Sequence, residues 1–200
     1  MGLLVMILGL VLFVGVHLIT TQRQLRARFV ATMGEGAYKA AHGLVSLAGL
    51  VLIVWGFAAY RSAGMIEVWE PLVPAGVMTA LRHITVALML PAVILVVASY
   101  IRGRIYAAVK HPMLAGIKLW AAAHLLANGD LGSIILFGSF LAWAVFDRIS
   151  LKRRADSGAP PIPIGGLGND FIAIAVGIVA YLALAFVFHP VVIGVPVIGV

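Results

Sequence analysis

Long apolar runs broken by short basic or Pro/Gly-rich stretches set the pattern of this chain. Six runs approach the roughly 20 residues that a helix needs to cross a bilayer. They cover residues 3–20, 38–60, 75–101, 112–127, 131–149 and 171–188. The fourth run is short and is joined to the fifth only by Asn128-Gly129-Asp130. That spacing predicts a tight helical hairpin, with Asp130 capping the fifth helix.

Composition and charge sharpen this picture. Of 200 residues 63% are hydrophobic and 10% charged, against about 25% charged in soluble domains. The expected fold is all-α, an integral membrane bundle of about six transmembrane helices in contact with the lipid bilayer. The net charge of +7 does not point to nucleic acid, because the basic residues sit in short loops between spans. Arg23, Arg26, Arg28 and Lys39 lie in the first loop, Arg102, Arg104 and Lys110 in the third, and Arg148, Lys152, Arg153 and Arg154 in the fifth. The positive-inside rule then places these loops in the cytoplasm and both termini outside. The first run has no basic residues before it and no small-residue cleavage pattern, and so reads as a retained span. The expected organisation is a single domain over 1–200, with its core in 1–150. A Pro/Gly loop (155–170), a last span (171–188) and an apolar tail (189–200) follow.

The chemistry available to the chain is narrow. There is no Cys, which removes disulfides, thiolate haem ligands, iron–sulfur clusters and a Cys nucleophile. The acidic residues lie in loops or at span ends, where paired carboxylate catalysis has no support. Gly165-Gly166-Leu167-Gly168 lacks the strand, Lys and Ser/Thr of a phosphate loop.

Six histidines remain. His111 precedes Pro112, and a Pro at the first helical position makes His111 a cap residue as readily as a ligand. His189-Pro190 reads as the end of the last helix, and His17 as an interfacial residue near Thr20 and Thr21. His124 lies inside a helix beside Ala121, Ala122 and Ala123, with Trp120 four residues earlier on the same face. Small residues admit a flat cofactor or a neighbouring helix equally well. His42 is followed by Gly43 and Ser46, and His83 lies between Arg82 and Thr85. Bundles hold haem iron through histidines of two different helices. His111 and His124 are 13 residues apart, on different sides of one helix, and cannot share a metal. His83 with His124, both in the outer half, is geometrically the easier pair. Arg82 could serve as a partner for a carboxylate or haem propionate.

The run HPMLAGIKLWAAAHLLANGDLGSIILFG resembles the signature of the NnrU family. LGLVLFVGVHLI, LRARFVATMGEGAYKAAHGLVSLAGLVLIVWGF and RHITVALMLPAVILVVASY resemble the same family, so that the likeness covers nearly all of 1–150. The family is linked to denitrification and nitric oxide, and is related to the ζ-carotene isomerase of plants and cyanobacteria, a haem b enzyme of membranes. The resemblance implies a protein of the bacterial inner membrane. It implies haem b ligated by the histidines of AAHGL and AAAHLLANGD, here His42 and His124, with His83 and His111 at further matching positions. The substrate would be nitric oxide or a lipophilic small molecule, in redox or cis/trans isomerase chemistry. One departure matters. With no Cys near Ala121, a thiolate ligand switch of the kind proposed for the plant enzyme is unavailable.

Two alternatives accompany that expectation. KHPMLAG resembles the RHPxYxG element of isoprenylcysteine methyltransferases, which bind S-adenosylmethionine, although Leu114 replaces the Tyr and no paired glutamates follow. The other alternative is a non-catalytic accessory subunit for nitric oxide reductase, in which the histidines are packing residues.

Overall fold

In the computed structural model, which describes residues 1–154 and 163–197, the chain folds as α-helices. In order these are α1 (Gly2–Thr21), α2 (Arg23–Met33), α3 (Glu35–Ser62), α4 (Ala75–Ala98), α5 (Arg104–Val109), α6 (Pro112–Ala127), α7 (Leu131–Lys152) and α8 (Leu167–Ala183). A π-helical segment, Leu184–Ile193, continues α8. No strand forms among the described residues; a lone antiparallel bridge pairs Glu67 with Asp130. The expected Pro/Gly loop falls partly outside the described residues, as do the last three residues of the tail.

Five elements are long and apolar enough to cross a membrane: α1, α3, α4, α7 and the continuous helix Leu167–Ile193. Their outer faces carry Leu44, Trp55, Val179 and similar side chains, which suit lipid and not water. The chain is a multi-pass helical membrane protein. Of the six runs seen in the sequence, the fourth is the exception. Helix α6 has 16 residues, which at 1.5 Å each reach about 24 Å, short of a hydrocarbon core of about 30 Å.

The helices group into two compact units. The first comprises Met1–Trp69 and Gly129–Arg153. Here α1 packs along α3, with α7 against α1. Glycines allow this approach: a Cβ at Gly9 would stand 2.6 Å from the Ile53 nitrogen, and one at Gly49 would stand 2.9 Å from the Gly9 carbonyl oxygen. Without a hydrophobic drive between helices in lipid, close backbone packing of this kind holds them together. Asp130 caps α7 as expected, its carboxylate accepting the Ser133 N–H at 3.0 Å. The Gly129 carbonyl accepts the N–H groups of Val68 and Trp69, and Leu131 N–H donates to the Ile66 carbonyl. The Tyr60 hydroxyl completes this junction by accepting from Ile66 N–H at 2.8 Å and Gly132 N–H at 3.2 Å.

The second unit comprises Glu70–Asn128 and Arg154–Val200. Helix α4 packs against both α6 and α8. A Cβ at Gly116 would lie 2.7 Å from the Ala92 carbonyl, and one at Gly177 would press into Ile94. The turn Asn128-Gly129-Asp130, expected to close a tight hairpin, links α6 to α7 across the boundary between the two units in the sequence.

Two further expectations change. The first basic loop is not a loop: Arg23–Met33 is helical, set off by Gln22 and by Gly34 at φ 84. His189-Pro190 does not end the last helix, which runs on to Ile193 in π form. A proline clashes with the carbonyl four residues back in an α-helix. The wider i→i+5 register moves that carbonyl away and lets the chain continue. Gly194 at φ 76 then closes the segment, and Val195 N–H donates to the His189 carbonyl at 3.1 Å.

Candidate functional site

Each unit builds its own histidine cluster. In the first, Tyr38, His42 and Ser46 recur every four residues on α3 and so share a face. His17 from α1 meets His42 edge-on, ring centroids 4.9 Å apart, and also meets Trp143 of α7 at 5.3 Å. Phe13 stacks on His17 at 4.3 Å and touches Phe140. The His17 Nδ1–H donates to the Phe13 carbonyl at 2.6 Å. Four polar atoms here are buried without a hydrogen-bond partner: Tyr38 Oη, His42 Nε2, Ser46 Oγ and Trp143 Nε1. Buried polar groups are nearly always satisfied, so orphans gathered in one cluster make it a candidate site for a bound water, ion or ligand. The indole N–H can only donate and thus calls for an acceptor.

In the second unit, His124 projects from α6 with its Nδ1–H donating to the Trp120 carbonyl at 2.9 Å. A carbonyl can only accept, so that bond fixes the proton on Nδ1 and makes Nε2 the basic nitrogen. The His124 carbonyl in turn accepts the Asn128 side-chain amide at 2.8 Å. The His124 ring lies 5.4 Å from the Trp120 ring and 6.2 Å from that of His189, the latter at an interplanar angle of 30°. Ala121 and Ala123 beside it are fully buried, and the Ala123 carbonyl accepts the Thr85 hydroxyl at 2.7 Å.

The other expected site residues fall elsewhere. His83 is exposed on α4. Thr85 of that helix faces α6, and two positions along a helix turn a side chain by about 200°, to the opposite face. Arg82 pairs with Glu70 at 2.7 Å near the start of α4. His111 occupies the N-cap of α6 with Pro112 as first helical residue, which matches the cap reading. Before it, Lys110 sits at φ 65 and the His111 N–H donates to the Val109 carbonyl at 2.8 Å, a tight γ-turn. Sequence reasoning passed over Tyr38, Trp143 and the His189 contact. The four-residue spacing of Tyr38, His42 and Ser46 was the signal that could have revealed part of this.

Among the described residues, no three His, Asp or Glu side chains gather as a metal cage. Haem iron needs only two axial ligands from the protein, and imidazole suits it. The family model described as NnrU protein matches residues 5–197. The chain belongs to the NnrU family. Searches among curated proteins and among solved structures gave no match. The match extends the NnrU likeness beyond residue 150, through α8 and the π segment that carries His189.

Proposed function

We propose that this NnrU-family protein is a haem b protein of the bacterial cytoplasmic membrane, acting in redox chemistry on nitric oxide or a lipophilic small molecule. The bound iron would supply one-electron and ligand-binding chemistry that no side chain of this chain offers. The observation that carries the reading is the His124 ring. Its Nδ1–H is held by the Trp120 carbonyl, and this second contact orients an imidazole and raises its basicity as a ligand. His42 is the other histidine that the family resemblance names, and its Nε2 is buried. The donor set fits iron that is neither thiolate- nor carboxylate-ligated, because Cys is absent and these helices present imidazoles. Cis/trans isomerisation, if catalysed, runs here without a thiolate.

The test is an optical spectrum of the detergent-purified protein, oxidised and dithionite-reduced, beside His124→Ala and His42→Ala. A b-type spectrum that is lost or shifted in His124→Ala supports the reading. A protein that stays colourless when expressed with ample haem overturns it.

A further inference from the structure

The histidine pair of the second unit has the separation of two axial ligands. Iron–imidazole bonds are about 2 Å long, so two imidazoles on opposite sides of one iron hold their ring centroids about 6 Å apart. The ring centroids of His124 and His189 are 6.2 Å apart. Stacked rings come closer than this. The His17–His42 ring centroids, at 4.9 Å, are too close for that arrangement.

We propose that His189 supplies the second axial imidazole to an iron ligated by His124. The assignment rests on the haem reading above and replaces His42 as the partner of His124. Three independent features support it. First, the π form of Leu184–Ile193 carries the helix past Pro190 and so keeps His189 within an ordered turn. π-Helical turns are rare, and they recur at functional sites. Second, both residues are locally held: the His124 ring by its bond to the Trp120 carbonyl, and the His189 backbone by the Val195 N–H. Third, the residues flanking the rings are small. Ala121 and Ala123 border His124, and Ala185 stands one turn before His189; all three are buried. Small residues let a neighbouring segment come close.

The experiment uses the full-length protein in detergent and reads spin state by electron paramagnetic resonance, together with haem content and midpoint potential. The wild type is expected to hold six-coordinate low-spin haem. His189→Ala is expected to keep haem but turn five-coordinate and high-spin, and added imidazole should return it to low spin. His189→Met is expected to stay low-spin with a raised potential, as a His/Met pair requires. His42→Ala should leave the low-spin signal in place. A low-spin signal unchanged in His189→Ala would overturn the assignment while leaving the haem reading intact. If His189→Ala loses its haem, the Met variant decides: a low-spin spectrum upholds the assignment, and an empty or high-spin protein overturns it. A wild type without haem sinks the haem reading itself.

Discussion

The Asp170 carboxylate accepts the Ile105 backbone N–H at 3.0 Å, across 65 positions of sequence. Helix α5, only six residues long, gains a cap from α8 that it cannot supply itself. Gly103 lies so close to this carboxylate that a Cβ there would collide with it. Asn169 adds a bond from its amide to the Arg102 carbonyl at 2.8 Å. Replacing Asp170 with Ala strands a half-buried N–H, at a cost of about 1 kcal/mol. Thermal unfolding of the detergent-purified protein should show a lowered midpoint for Asp170→Ala and for Gly103→Ala. Asp170→Asn, which keeps an acceptor oxygen, should fall between them and wild type. Equal midpoints in all four proteins would dismiss the cap.

The α1–α3 contact predicts a contrast between two glycines. At Gly9 an added Cβ meets backbone atoms of α3, which cannot yield as a flexible side chain can. Gly9→Ala should therefore destabilise the first unit by about 1–3 kcal/mol through overpacking. Gly43 has nothing within 4 Å of its would-be Cβ. Gly43→Ala should be neutral or stabilising by up to about 1 kcal/mol, since Gly is the poorer helix former. Midpoints of unfolding for the two variants, side by side, test the pair.

Tyr60 is buried, and its hydroxyl serves two backbone donors at the junction of α3 and α7. Tyr60→Phe keeps the ring and removes the acceptor. A loss of about 1–3 kcal/mol is expected. Hydrogen exchange should locate it at the amides of Ile66 and Gly132. Unchanged protection at both amides would refute the role given to the hydroxyl.

Ser46 predicts the opposite sign. Its hydroxyl is buried and unpartnered, so Ser46→Ala removes a desolvation penalty and breaks no bond. The ligand-free protein should be as stable as wild type or more so. Any ligand that accepts the hydroxyl's hydrogen bond should bind more weakly to the variant, which a titration with candidate quinones, carotenoids or nitric oxide would read. A variant both less stable and unchanged in every ligand titration would remove Ser46 from the cluster.

The long spans were legible because lipid imposes one rule on every residue of a run, and a run of 20 apolar residues leaves no second reading. Local caps were legible for a similar reason: Asp130 and His111-Pro112 act within one turn of themselves. Helix α2 was hidden because its arginines read as loop charges, while helix formation by Arg and Gln leaves no apolar signature. Pro190 misled through a rule that holds for α-helices and not for the π register. The candidate site was half legible. His42 and His124 stood out from their surroundings, but His17 beside His42 and His189 beside His124 are contacts between distant segments, and no spacing along the chain encodes them.

The helices that carry His124 and His189 depart from the span length of a bilayer in opposite senses. Helix α6 has 16 residues, and the helix Leu167–Ile193 has 27. A short apolar helix thins the membrane around it, and a long one tilts or thickens it. Bilayer thickness therefore acts on the two rings through opposing strains. A thicker membrane relaxes the tilt of a long helix and deepens the mismatch of a short one, so lipid chain length bears on these two helices in opposite senses.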